Sequence, residues 1–205
     1  EGLVERHQGS GTFVAAQKAT HRSDELRALH TSGGGERIVH EVLGREVISA
    51  PDIVTELLEL PPGSQVVRLD RRTVAVSEMV GVWTTYLSVE YGLPLMSPDI
   101  DLSGDYYDVL EQLVGEPIAY SAQSTEAVAA DVVVAAVLNV PVGVPLLRLE
   151  RVVHLADGRP VDFGVGRLRG DRLRLSSTQL RRRPGTDHVS AGAGQPSVLP
   201  RKPRM

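Results

Sequence analysis

Leu58-Glu59-Leu60-Pro61-Pro62-Gly63, followed by Val66-Val67-Arg68-Leu69-Asp70-Arg71, decides the fold because the chain contains this pattern twice. At an offset of 80 residues, Leu138-Asn139-Val140-Pro141-Val142-Gly143 precedes Leu146-Leu147-Arg148-Leu149-Glu150-Arg151. Each copy reads as a short helix, a Pro/Gly turn that cannot continue it, and a strand. Two copies are too few for a solenoid and suit one domain built from pseudo-twofold halves.

Working outward, Pro51 is well placed to open a helix over residues 52–60. The second copy predicts a helix over 130–138, although Val132-Val133-Val134 is a β-branched run that resists one. After the Arg strand of the first half, residues 73–79 lead into a further strand over 80–87. In the second half, residues 152–156 lead through Asp157-Gly158-Arg159-Pro160 into 161–169, and the Asp-Gly pair marks an antiparallel hairpin. Tyr106, Val109, Leu110 and Leu113 recur at helical spacing, so 106–114 reads as a helix entered from Ser103-Gly104-Asp105. Hairpin strands with helices between the halves predict an α+β fold on an antiparallel sheet.

The ends of the chain differ from this body. Residues 1–15 read as a β-hairpin with a Gly-rich turn at His7-Gln8-Gly9-Ser10-Gly11. A lone two-stranded hairpin is not stable in water, so it reads as the trailing end of another domain. Residues 16–37, polar and small with Ser32-Gly33-Gly34-Gly35, read as a linker with one short helix near 23–29. Residues 181–205 have Pro and Gly at intervals and no apolar period, and are expected to be a disordered basic tail.

Composition excludes several classes. The 205 residues are 41% hydrophobic but only 4% aromatic, so the core must be built from Val, Leu and Ala. With no cysteine there is no disulfide scaffold, thiolate metal site or Cys nucleophile. No apolar run is long enough to span a bilayer and no secretory signal is present, so a cytoplasmic location is the default. The net charge of -4 is uneven: residues 181–205 carry six Lys and Arg against Asp187 alone, leaving an acidic body that does not wrap nucleic acid by itself. His21, His30 and His40 lack metal-ligand spacing, and no phosphate loop or nucleophile elbow occurs, so no metal or cofactor is expected.

The charged residues of the repeated strands carry more information. Alternation puts Arg68, Asp70 and Arg72 on one face and Leu69, Arg71 and Thr73 on the other, buried one. Arg151 sits likewise with Leu149 and Val153. An Arg on an apolar face must find an anion, either from the protein, with Asp162 or Glu150 as candidates, or from a ligand.

Gly2-Leu3-Val4-Glu5-Arg6-His7-Gln8-Gly9-Ser10-Gly11-Thr12-Phe13-Val14-Ala15 resembles the wing of a GntR-family winged helix-turn-helix, with Gly-x-Gly-Thr-Phe-Val its specific part. The rest resembles the UTRA effector domain of the HutC branch, which shares the chorismate-lyase fold. The residues carrying that likeness are Leu60-Pro61-Pro62-Gly63, Leu146–Arg151, Asp157-Gly158-Arg159-Pro160-Val161-Asp162-Phe163 and Arg169-Gly170-Asp171-Arg172. The implied organisation is a wing over 1–15, a linker over 16–37, an effector-binding and dimerisation domain over 38–180, and the tail. The implied function is a metabolite-responsive transcriptional regulator, usually a repressor, acting as a homodimer on operator DNA. Wing residues Arg6, Gln8, Gly9 and Gly11 would approach the duplex, while the recognition helix that reads bases is not in this chain.

Effector residues carry over only by position. Sugar-phosphate-binding members of the family hold the ligand with an Arg-x-Arg pair on the first long strand; here Arg71 matches the first Arg and Thr73 stands at the second. A Glu of the family becomes Trp83, and a Ser at the start of the middle helix becomes Asp105, two before a matching Tyr107. The acidic position after Pro-Val is kept as Asp162. Losing an Arg and gaining an Asp disfavours a phosphate dianion, so the expected effector is neutral, weakly anionic or cationic rather than a sugar phosphate. Trp83 is either a wall of the pocket or core packing. Two other readings compete: an enzyme with the lyase version of the fold, which a wing argues against, and a ligand-free dimerisation scaffold, which gains if Trp83, Arg71 and Asp162 satisfy one another with no cavity between them.

Overall fold

The repeat folds twice into a short helix with the same hydrogen-bonded ending. Helix α1 (Asp52–Leu57) ends with Leu60 N–H donating to Thr55 O and Glu59 N–H to Glu56 O, a Schellman ending with Glu59 left-handed at φ 52°. Its mate α4 (Val132–Leu138) ends with Val140 N–H on Ala135 O and Asn139 N–H on Ala136 O, with Asn139 also at φ 52°. Both helices are shorter than the sequence pattern predicts: the ending releases Leu58–Leu60 of the first copy into the turn, whereas α4 keeps its expected end at Leu138 and starts two residues late, behind its cap Asp131. The β-branched start of α4 is held by Asp131, whose Oδ1 accepts from Val133 N at 3.0 Å and Val134 N at 2.8 Å.

The computed structural model describes residues 4–7, 11–14, 18–23, 38–75 and 78–178. Six strands form the central antiparallel sheet: β4 (Ile38–Ser49), β5 (Gln65–Ala75), β6 (Glu78–Ser88), β7 (Ile118–Ala129), β8 (Pro145–Leu155) and β9 (Pro160–Arg169), in the order β4-β5-β6-β9-β8-β7. Each half is a three-stranded meander, and the halves join where β6 pairs with β9. This is the antiparallel α+β architecture expected, with the pseudo-twofold axis between β6 and β9. The edge strands β4 and β7 were not placed by the sequence reading.

The sheet is covered on both faces. Helix α3 (Tyr106–Val114), with α2 (Val89–Gly92) and a 3-10 turn (Leu93–Met96), covers one face in a cluster that includes Leu69, Leu87, Leu95, Leu110, Val153 and Leu155. Helices α1 and α4 cover the other, where Val54 and Leu58 meet Val66, Val152 and Phe163, and Val134 and Leu138 meet Leu146. Leu69, Arg71 and Thr73 lie buried on the α3 face, while Arg68, Asp70 and Arg72 are half-buried on the opposite one.

At the N-terminus β1 (Val4–His7) and β2 (Gly11–Val14) pair as the expected hairpin. Within the stretch read as a linker, β3 (Ala19–Arg22) pairs in parallel with β10 (Leu173–Ser176), and Lys18 Nζ donates to Gly170 O at 2.8 Å. Gln8, Gly9, the expected helix from 24 onward, Gly33–Gly35 and the tail 181–205 lie outside the described residues. Among the described residues no helix is long and apolar enough to cross a membrane, and no group of three or more His, Asp or Glu is placed to hold a metal.

Candidate functional site

Strand register assembles the site. Across the sheet Arg71 faces Trp83, Trp83 faces Gly166, and Gly166 faces Leu149; one row along, Leu69, Thr85, Gly164 and Arg151 are aligned. Because opposed residues in an antiparallel sheet share a face, Arg71, Trp83, Thr85 and Arg151 all rise toward α3. The two glycines on β9 make room. A Cβ on Gly166 would lie 2.8 Å from the Trp83 ring, and one on Gly164 would lie 3.2 Å from Arg151 Nε. Trp83 and Arg151 thus lie close over bare strand backbone, which only glycine permits.

Helix α3 closes over them with its first turn. Asp105 caps that helix, its Oδ1 accepting from Tyr107 N at 3.0 Å, and this sets Tyr106 and Tyr107 over the sheet. Tyr106 Oη donates to Asp162 Oδ2 at 2.7 Å. The Arg151 guanidinium is surrounded by rings, its Cζ 4.8 Å from the Tyr107 centroid, 5.0 Å from Trp83 and 5.7 Å from Tyr106. Its Nε is 3.6 Å from Asp162 Oδ1, close enough for an ion pair though longer than a hydrogen bond.

Arg71 is placed differently. It lies 4.0 Å over the Tyr106 ring and donates from Nη2 to Thr85 Oγ1 at 3.3 Å. It is 4% exposed, its Nε has no hydrogen-bond partner, and no carboxylate among the described residues comes within ion-pair distance. Every other strand arginine of the repeat has one: Arg68 pairs with Glu46 and Asp70, Arg72 with Glu41, Arg148 with Glu150 and Glu126, Arg151 with Asp162.

The electrostatics follow this asymmetry. Burial lowers the pKa of Arg71, and the neighbouring Arg151 lowers it further. Burial also opposes the charge on Arg151, but Tyr107 and Asp162 outweigh it and raise its pKa. Burial raises Asp162 above the usual carboxylate range, with Arg151 working against the rise. It pushes the Tyr106 hydroxyl well up, and the Asp162 charge adds to the shift, so Tyr106 is a donor at neutral pH.

Five of the six predicted site residues therefore lie on, or over, the α3 face of the sheet. Thr73 is buried there with its Oγ1 3.2 Å from His40 Nδ1. Trp83 is core packing, buried with Ile38, Ala75, Val80, Leu168 and Leu173. The sixth, Asp105, holds the end of α3. Of the two anion sources open to the arginines, Arg151 found Asp162, and Arg71 found neither Asp162 nor Glu150. The sequence reading missed Tyr106, assigned only to a helix face, as well as Thr85 and His40. The Gly164-Val165-Gly166 alternation was the available signal for a close approach on β9.

Comparison with known proteins agrees with this architecture. The UTRA domain model matches residues 34–174. The HTH-type transcriptional regulator Rv0792c of Mycobacterium tuberculosis is 30% identical over 193 residues, spanning 91% of this chain and 70% of that protein. The HTH-type transcriptional repressor NagR of Bacillus subtilis is 24% identical over 179 residues, 84% of this chain and 71% of that one. The crystal structure of PhnF from Mycobacterium smegmatis shares the fold with a TM-score of 0.75 at 20% identity, over 88% of this chain and 80% of that one. The ligand-binding domain of a GntR-type regulator from Bordetella bronchiseptica does so at 0.62 and 24% identity, over 69% and 88%. With its sheet and its relatives in agreement, the chain belongs to the UTRA-domain family, whose members matching most of its length are HTH-type transcriptional regulators.

Proposed function

We propose that this chain is the sensing part of a DNA-binding repressor, and that a small molecule binds beneath α3 in contact with Arg71, Thr73, Trp83, Tyr107 and Asp162. The observation that carries the reading is Arg71, a buried guanidinium with no carboxylate beside it. An unpaired charge taken out of water costs several kcal/mol, about the scale that a structural core avoids and a bound ligand offsets. A ligand-free scaffold would need Arg71, Trp83 and Asp162 to satisfy one another, and Arg71 is left out. The departure from the family's phosphate-binding pattern at Thr73 argues against a sugar phosphate. Arg6, Gln8, Gly9 and Gly11 of the wing would meet operator DNA, and NagR's description as a repressor supports the sign of regulation.

The partner for dimerisation is a second copy of the chain, docked on the outer face of α4. The internal repeat supplies the control. Val54 and Leu58 of the first half do the same packing as Val134 and Leu138 of the second, yet the outer position Asp52 corresponds to Val132. Val132 and Val133 are 70% and 69% exposed, so α4 carries apolar surface that the fold does not require. They line a groove with Leu43 and Val137 that also holds Asp70, Asp131 and Arg167, charges of both signs suited to a twofold copy.

The test is thermal unfolding of the chain against sugars, sugar phosphates, amino acids and aromatic acids. A ligand at about a hundred times its dissociation constant adds ~2.7 kcal/mol. The expected result is a rise in Tm with a non-phosphorylated compound that Arg71→Met abolishes. A rise with a hexosamine phosphate alone would keep a sensor and refute this account of its pocket.

A further inference from the structure

We infer that the effector is a monoanion and that it presents a carboxylate to Arg71. This rests on the sensing role proposed above and adds the charge and the anchoring group of the molecule sensed.

Two guanidiniums, Arg71 and Arg151, are buried under α3 against the Tyr106 ring, and the one carboxylate within ion-pair distance of either of them among the described residues is Asp162, beside Arg151. Asp162 is fully buried, within ion-pair distance of Arg151, and receives the Tyr106 hydroxyl. The other polar groups packed around them, Tyr106, Tyr107, Thr85, Thr73 and His40, supply no negative charge at neutral pH. One positive charge is therefore left over, on Arg71.

Each ligand charge then has a different consequence. A neutral molecule leaves Arg71 uncompensated, and a cation adds to the excess. A dianion reverses the imbalance and leaves one negative charge in excess. One negative charge makes the cluster neutral. The anchoring group follows from the donor. Arg71 has Nε without a hydrogen-bond partner and only Nη2 engaged, on Thr85, and a planar guanidinium fork matches a planar carboxylate.

Trp83 is the single tryptophan of the chain, so its emission reports on this site. Monocarboxylates from acetate to benzoate would be titrated at constant ionic strength beside benzamide and phenyl phosphate, on the wild-type chain, Arg71→Met and Thr73→Arg. Benzoate is expected to change Trp83 emission and raise Tm, to bind at least about tenfold more tightly than benzamide or phenyl phosphate, and to lose that advantage in Arg71→Met. Thr73→Arg, if folded, should shift the preference toward phenyl phosphate. Binding of benzamide or phenyl phosphate as tight as that of benzoate overturns the charge assignment and leaves the sensing role standing. Failure of every monocarboxylate to act through Arg71 also overturns it. If the wider metabolite panel is silent too, and Arg71→Met is no more stable than the wild type, the sensing role falls with it.

Discussion

Replacing the two buried arginines one at a time should move stability in opposite directions. Met has nearly the length of Arg and no charge, so Arg71→Met removes an unpaired guanidinium and keeps most of the packing on Tyr106. The change loses a long hydrogen bond to Thr85 at 3.3 Å and a cation–π contact at 4.0 Å, together about 1–3 kcal/mol. Against this stands relief of a desolvation penalty of several kcal/mol for a buried ion. The balance is a gain of ~1–3 kcal/mol in the unliganded protein. Arg151→Met leaves Asp162 buried with Tyr106 as its hydrogen-bond donor, and breaking a buried pair this way costs ~3–5 kcal/mol. At roughly 2–4 °C per kcal/mol for a domain of this size, the two variants should differ in Tm by about 10 °C or more. The assay is thermal and urea unfolding at neutral pH without added carboxylates or phosphate. Arg71→Met as destabilised as Arg151→Met would show that Arg71 is compensated within the protein, and would remove the basis for a ligand at that position.

Gly166→Ala should cost ~1–3 kcal/mol and shift the Trp83 emission, because the new methyl meets the indole at 2.8 Å; an unchanged spectrum would show that the ring is not over β9. Glu59→Gly should stabilise by up to about 1 kcal/mol by relieving the left-handed conformation at φ 52°, and urea unfolding that finds a loss would contradict that geometry. His154, stacked on Tyr120 and with Nδ1 3.2 Å from Val152 O, has its pKa lowered by burial. A depressed folded-state value means that the unfolded chain takes the proton more readily. This contribution is therefore fully present above the ordinary imidazole pKa of about 6.5 and lost as pH falls below it. Unfolding followed from pH 7.5 to pH 5.5 should show that loss in the wild type and less of it in His154→Phe.

Local periodicity alone determined much of this protein. The repeat, the Asp157-Gly158 hairpin, helix α3 and the burial of Arg71 beside Leu69 and Thr73 follow from spacing along one segment, since a strand alternates faces and a helix returns every turn wherever it packs. The two edge strands were not legible in this way. β7 runs through Gln123-Ser124-Thr125-Glu126 with one face open to solvent, so little apolar alternation marks it. The parallel pairing of β3 with β10 was invisible for another reason: it joins segments some 150 residues apart, and nothing near Ala19 encodes the partner.

The site divides along the same line. Each arginine's need for an anion can be read from its own strand, because a charge on an apolar face is costly whatever surrounds it. Which of them is satisfied depends on where β9 places Asp162. Register sets that carboxylate opposite Val153 and within reach of Arg151, while Arg71, on the far side of β6, stacks on Tyr106 with no carboxylate in ion-pair reach among the described residues. Sequence determined that two buried cations exist, and tertiary structure decided that one is unpaired. Periodicity acts over a few residues, whereas charge compensation acts through space between strands distant in the chain.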